Sequence, residues 1–223
     1  MNKILSIVIP VYNKFPFTKS CLNDLLKLSD NHEIIIIDNG STDETKKELE
    51  NNSKIIYYRF DNNQGFAKAC NKGYQISSSN NVLFLNNDIR VKSNYESWTN
   101  ILIDKCELGL VGPTMGQLDK ELNFIKESNS KLNGNSYMSG WCLAASKNIW
   151  NKLIINNYLG PFSEEFFCYF EDTDLGFRSK KNGIAMNIVD IPVVHFGKQT
   201  SKQLNTYELY KSARKIFVNK WGK

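Results

Sequence analysis

Hydrophobic positions follow two alternating patterns. Leu5–Val11 is an apolar, β-branched run, and Phe17–Leu28 places Cys21, Leu22, Leu25 and Leu26 on one face of a helix. Ile34–Ile37 is apolar without alternation, the mark of a strand covered on both faces, as in a parallel sheet. Ser41-Thr42-Asp43-Glu44 reads as a cap for a charged helix through about Asn51. Lys54–Tyr58 and Val82–Leu85 then read as strands, with helices over Gly65–Ile76 and from about Tyr95 to Cys106. This rhythm predicts an α/β fold with a doubly wound, Rossmann-like, mostly parallel sheet flanked by helices and joined by right-handed crossovers. Ser128–Ser136 reads as a surface loop, and about Leu204 to Trp221 as a C-terminal basic helix carrying Tyr207, Tyr210, Ile216, Phe217 and Trp221. No repeat or low-complexity linker divides the chain.

The 223 residues, 41% hydrophobic and 23% charged, suit one globular domain and exclude a disordered or fibrous chain. No apolar run reaches the ~20 residues needed to span a bilayer. Met1-Asn2-Lys3 leads straight into the first strand, so no signal peptide is expected. Cys21, Cys70, Cys106, Cys142 and Cys168 are odd in number, widely spaced and without a CxxC pair, which favours core thiols in a reducing compartment over a disulfide or zinc framework. A cytoplasmic location follows. The charge is uneven: from Lys198 onward seven cations face Glu208 alone, so the tail accounts for the whole net +5 and the body is close to neutral. That argues against a nucleic-acid partner. It leaves open a tail that meets anionic phosphates or the inner face of a membrane.

Ligands of open α/β sheets bind at the carboxyl ends of the strands. Here those ends are Pro10-Val11-Tyr12-Asn13, Asp38-Asn39-Gly40-Ser41-Thr42-Asp43 and Asn86-Asn87-Asp88. Any one of them reads equally well as a turn, but three together, two with an acid after an apolar strand, read as a site. The first strand is followed by neither GxGxxG nor GxxxxGK[ST], which argues against a dinucleotide oxidoreductase and a phosphate-loop NTPase. Acidic strand ends in their place suggest that Mg²⁺ or Mn²⁺ handles phosphate groups.

The runs SIVIPVYN, IIIIDNGSTDET, NNQGFAKACNKG, VLFLNNDIRV, MSGWCLAAS and FFCYFEDTDLGFR, in this order from Ser6 to His195, resemble the inverting family-2 glycosyltransferases of the GT-A fold. The resemblance implies a single GT-A domain over residues 1–223, with a nucleotide-binding half (1–90), an acceptor-binding half (91–200) and a C-terminal helix (201–223). It implies transfer of a sugar from a UDP-, dTDP- or GDP-sugar to a saccharide or glycolipid acceptor. Pro10, Tyr12 and Asn13 resemble the first nucleotide loop, Asp38 the acid that holds the base with Asn39 in the same turn, and Gly65, Phe66 and Asn71 the floor of the nucleotide pocket. Asn86-Asn87-Asp88 stands where the family has D-x-D. The first acid is an amide here, so Asp88 is the one carboxylate that this motif offers a metal. His195 resembles a metal- or diphosphate-binding histidine, and Trp141, after Gly140, the wall of the sugar pocket.

Glu171-Asp172 resembles the family's acidic pair near the acceptor. An inverting transfer needs a base for the acceptor hydroxyl and negative charge near an oxocarbenium-like centre, and carboxylates supply both. Asp172 is the expected base and Glu171 its positioning partner. The same acids also suit a helix N-terminus. Asp174 and Arg178 are expected to pair at i,i+4, and His32 to be exposed. The tail is expected to dock on the domain, the other reading being peripheral membrane contact. A non-catalytic sugar-nucleotide- or partner-binding module is the rival reading, supported by Asn86. A nucleotidylyltransferase is a weaker one, for want of a glycine/arginine-rich N-terminal loop.

Overall fold

The computed structural model describes residues 4–28, 31–92, 97–197 and 206–222. In its first part β1 (Leu5–Val11), α1 (Phe15–Leu25), β2 (His32–Asp38), α2 (Thr45–Leu49), β3 (Ile56–Arg59), α3 (Phe66–Ile76) and β4 (Asn81–Leu85) alternate strand with helix. There follow β5 (Ile89–Val91), α4 (Ser97–Ile103), β6 (Gly109–Gly112), β7 (Met115–Leu118), β8 (Phe124–Ser128), β9 (Ser136–Met138) and β10 (Cys142–Ser146). The chain ends through α5 (Lys147–Asn151), α6 (Glu171–Lys181), β11 (Ala185–Ile188), β12 (Val193–His195) and α7 (Thr206–Trp221).

The central sheet has the order β11-β6-β10-β4-β1-β2-β3. Its β4-β1-β2-β3 side is parallel throughout, while β10 runs antiparallel to both β4 and β6. Apolar residues on alternate positions feed two cores. Ile7, Ile9, Ile34, Ile36 and Leu85 pack with Leu22, Leu25 and Trp98 on one face. Val8, Ile35, Ile37 and Phe84 pack with Cys70, Tyr74 and Trp150 on the other. Burial on both faces is why the middles of these strands are apolar without alternation. Two small sheets, β12-β5 and β8-β7-β9, stand beside the large one.

Several expectations are corrected. Ser41 caps no helix: its hydroxyl accepts the Asn13 N–H at 2.8 Å, and α2 starts at Thr45, whose N–H and hydroxyl both go to Asp43. His32 is buried rather than exposed, its Nε2 being 3.1 Å from the Thr99 hydroxyl. The expected helix starting near Tyr95 is described only as α4, Tyr95 itself lying outside the described residues. The expected 128–136 loop joins β8 to β9. Asp174 and Arg178 pair at 2.7 Å.

The basic tail is docked. In α7, Ala213 and Phe217 are buried with Leu118, Leu122, Phe166 and Phe170 in a third core. Trp221 donates its indole N–H to Asp174 at 2.9 Å, and Lys220 reaches the same carboxylate at 3.0 Å. Among the described residues no helix is long and apolar enough to cross a membrane.

Candidate active site

A cleft of about 320 Å³ opens at the carboxyl ends of β1, β2 and β4. It is lined by Pro10, Tyr12, Asn39, Gly65, Phe66, Asn86, Asn87, Asp88, Trp141, Glu171, Asp172 and His195. Asn39 bridges the β2 turn to the start of α3, accepting the Gln64 N–H at 2.8 Å and donating to the Gly65 carbonyl at 3.0 Å. Gly65 has φ +88°, and a β-carbon there would lie 2.5 Å from the Phe167 carbonyl oxygen. Only glycine therefore allows the α3 entrance and the segment before α6 to approach this closely.

Asn13, Asp38 and Asn71 do not line the cleft. Asp38 is fully buried: its Oδ1 takes the Ser41 N–H at 2.8 Å, and its Oδ2 takes the Tyr57 hydroxyl at 2.6 Å and the Arg59 guanidinium. Asn13 clamps the β1 and β2 turns through Thr42 at 2.7 Å. The Asn71 amide is taken up by the Phe162 backbone, as both donor and acceptor, and by Glu164. All three shape the walls from behind. Asn87 lines the cleft, yet its amide N–H turns to the Thr18 hydroxyl at 2.8 Å.

The second half of the cleft contains the chemistry. His195 on β12 is brought to the end of β4 by the β12-β5 pairing, and its Nε2 is 3.2 Å from Asn86 Nδ2 and 3.0 Å from Asp88 Oδ1. According to its tautomer Nε2 accepts from the Asn86 amide or donates to Asp88 Oδ1, a buried oxygen otherwise without a hydrogen-bond partner among the described residues. A buried carboxylate oxygen with a single polar neighbour is stabilised where a cation meets it. Asp88 Oδ1 and an Nε2 of His195 free of a proton would suit a divalent ion that accepts mixed oxygen and nitrogen ligands, whereas Mg²⁺ would lean on the carboxylate alone. Among the described residues no cluster of three protein ligands exists. Trp141 stacks on the His195 ring, 4.8 Å between centroids and 11° between planes, and donates its indole N–H to Thr114 at 2.9 Å and Glu127 at 3.0 Å.

Glu171 and Asp172 open α6. Tyr169 and Phe170 precede them in left-handed backbone conformations, φ 72° and 64°, a strained approach of a kind that clusters at functional sites. Asp172 is held on both sides, by the Gly140 N–H at 2.9 Å and by the Thr173 N–H at 2.7 Å. Burial raises its pKa against these hydrogen bonds. Glu171 is buried with Oε2 unpartnered, and burial together with the charge of Asp172 pushes its pKa up to about 8. At neutral pH Glu171 therefore holds a proton.

The glycosyl transferase family 2 model matches residues 6–103, the stretch from β1 to the end of α4. Those residues are similar to a family-2 glycosyltransferase domain. Glycosyltransferase GlyG of Streptococcus pneumoniae serotype 4 (strain ATCC BAA-334 / TIGR4) is 28% identical over 99 residues, 42% of this chain and 33% of GlyG. The chain spans a third or less of the length of the curated relatives it matches. Among solved structures, GalNAc-T7 with UDP, GalNAc and Mn²⁺ superposes with a TM-score of 0.69 at 16% identity, over 86% of this chain and 43% of that one. Residues 1–349 of S. aureus TarS give 0.60 at 16% identity, over 96% and 70%. These likenesses establish the GT-A fold.

Asp88 lies inside the family-2 match, whereas Trp141, Glu171, Asp172 and His195 lie beyond it and are joined to it by the geometry above. Sequence reasoning missed Glu127 and Tyr137, which line the cleft from the β7-β8-β9 sheet, and Thr114 just before β7, which holds the Trp141 indole. These strands are only three to five residues long, and their pairing across the 128–136 loop carries no local signal.

Proposed function

We propose that the chain transfers a sugar, with inversion, from a nucleotide-diphosphate donor to an acceptor hydroxyl. Residues 1–90 would form the nucleotide half, 91–200 the acceptor half and 201–223 a bracing helix. The observation that carries the reading is that one cleft holds both the Asp88–His195 pair and the Glu171–Asp172 pair. The family of residues 6–103, and a fold neighbour crystallised with UDP and Mn²⁺, support it.

In this reading the acceptor oxygen attacks the anomeric carbon from the face opposite the diphosphate. The bond from that carbon to the phosphate oxygen breaks, its electron pair leaving with the diphosphate, and the hydroxyl proton passes to Asp172. The Gly140 and Thr173 hydrogen bonds fix this carboxylate before reaction, so no reorganisation is needed as charge moves. Glu171, protonated at neutral pH, keeps a second charge away from its neighbour. Trp141, fixed through its indole N–H, offers a flat wall to a sugar ring. Asp88 and His195 would hold a Mn²⁺ or Mg²⁺ ion, which when bound would offset the charge of the departing diphosphate. The acceptor would be a glycan, a lipid-linked saccharide or a protein glycan.

The test is a binding and turnover screen of UDP-, dTDP- and GDP-sugars with and without Mn²⁺, followed by NMR of the product's anomeric configuration. Nucleotide-sugar binding with neither transfer nor slow donor hydrolysis across a broad acceptor panel would replace the enzyme with a binding module.

A further inference from the structure

Beyond the carboxylate pair the cleft continues into a second cavity of about 770 Å³. Glu171 and Asp172 line both cavities, so whatever occupies the second one reaches the proposed base. Its walls are aromatic and come from separate parts of the fold: Phe124 on β8, Tyr137 on β9, Tyr169 ahead of α6, and Tyr207 and Tyr210 on α7. Tyr210 is held edge-on against Tyr169 at 5.9 Å and tilted against Phe170 at 5.3 Å, so this wall is built before any ligand arrives. Tyr207 and Phe124, by contrast, are 70% and 51% exposed. Among the described residues the lining includes two carboxylates and no lysine or arginine, a lining that favours an uncharged ligand over a phosphate or other anion. Aromatic faces with hydroxyl-bearing edges suit the apolar C–H face and polar rim of a neutral sugar. The volume lies within the range of pockets that enclose drug-sized ligands, larger than a single hexose needs.

We infer that this cavity is the acceptor groove and that its occupant is a neutral oligosaccharide of at least two units. The terminal unit lies at Glu171 and Asp172, and the next lies on Tyr207 and Phe124. The inference rests on the transferase reading for its word acceptor, while the saccharide site itself can be tested without turnover. It also gives α7 a role at the substrate besides bracing the fold.

The experiment is direct binding of the intact chain to an array of neutral mono- to tetrasaccharides, for wild type and for Tyr207→Ala, Phe124→Ala and Tyr207→Phe. Both positions are exposed, and melting temperature checks that each variant folds. Binding of chains of two or more units should weaken on the order of 10-fold in each alanine variant and be rescued in Tyr207→Phe. With an active donor, the same variants should raise the acceptor KM more than they lower kcat. Saccharide binding that depends on Tyr207 and Phe124 upholds the groove even if no donor is turned over, which would sink only the transferase reading. No saccharide bound, binding indifferent to all three variants, or binding only to vesicles containing a polyprenyl phosphate overturns the groove.

Discussion

Asp172 Oδ2 accepts the backbone N–H of Gly140 at 2.9 Å, and a β-carbon on Gly140 would lie 2.9 Å from the β-carbon of Asp172. The β9–β10 turn and the start of α6 thus meet with no room for a methyl group. Gly140→Ala is expected to push Asp172 out of place and lower kcat roughly 100-fold, the usual cost of a small misplacement of a reacting group. Donor affinity should stay within about twofold, because the proposed diphosphate contacts lie elsewhere. Near wild-type turnover in this variant would show that the contact is incidental.

Glu171 gives a stability test independent of any substrate. Its folded pKa is raised to about 8 from 4.5, so between these values the folded state holds a proton that the unfolded state has lost. The stability this provides is fully present below about pH 4.5 and is lost as pH rises through about 8. Glu171→Gln cannot ionise and escapes the loss. At pH 9 its melting temperature should exceed that of wild type, by on the order of a few kcal/mol in stability, and the gap should close towards pH 4.5. A difference that does not change with pH would contradict the burial argument.

Asp88 combines a function with a cost. Among the described residues its buried Oδ1 meets only His195 Nε2, at 3.0 Å, so removing the charge in Asp88→Asn should raise the metal-free melting temperature while abolishing the Mn²⁺-dependent part of donor binding. His195→Ala should weaken the same metal-dependent part without the gain in stability, since it removes the Trp141 stacking partner. Calorimetry with and without Mn²⁺ checks both. Equal donor affinity in the two conditions, in wild type and variants alike, removes these residues from metal binding.

The parts of this molecule legible in its sequence are those with local causes. Strands β1, β2 and β4 announce themselves because burial on both faces requires unbroken apolar runs, and their polar ends follow from the same logic. Asp38 shows where this stops: its type and place suggest a ligand, yet Tyr57 and Arg59, some twenty residues on, occupy its carboxylate. His32 fails for a similar reason, its partner Thr99 lying on α4. Glu127 and Tyr137 carry no signal at all, since strands of five and three residues on either side of a polar loop look like more of that loop in sequence. The pairing of Asp88 with His195 rests on β12 meeting β5, a contact between two three-residue strands.

Phe217 tests whether α7 belongs to the domain. It is fully buried between Phe170 and Phe177, at 5.1 Å from each ring. Phe217→Ala should destabilise the chain by about 3 kcal/mol or more, the usual cost of truncating a core phenylalanine. A melting temperature within 1 °C of wild type would mean that the helix docks too loosely to brace α6.

The last prediction separates an enzyme from a binding module. Asp172→Asn keeps the size of the side chain and can still accept the Gly140 and Thr173 N–H groups through its carbonyl oxygen, so the fold around α6 should survive. What the amide cannot do is take a proton from an attacking hydroxyl. If Asp172 is the base, turnover should fall by roughly 100-fold or more. Donor affinity should hardly move, because the proposed diphosphate contacts are Asp88, His195 and any ion they would hold. A fall in kcat with a steady donor dissociation constant marks an interaction made only in the transition state. Glu171→Gln, already protonated in effect at neutral pH, should cost much less at pH 7. Reversal of that order, with Glu171→Gln inactive and Asp172→Asn active, would move the base to Glu171. Near wild-type transfer in both would take general-base chemistry away from this pair altogether.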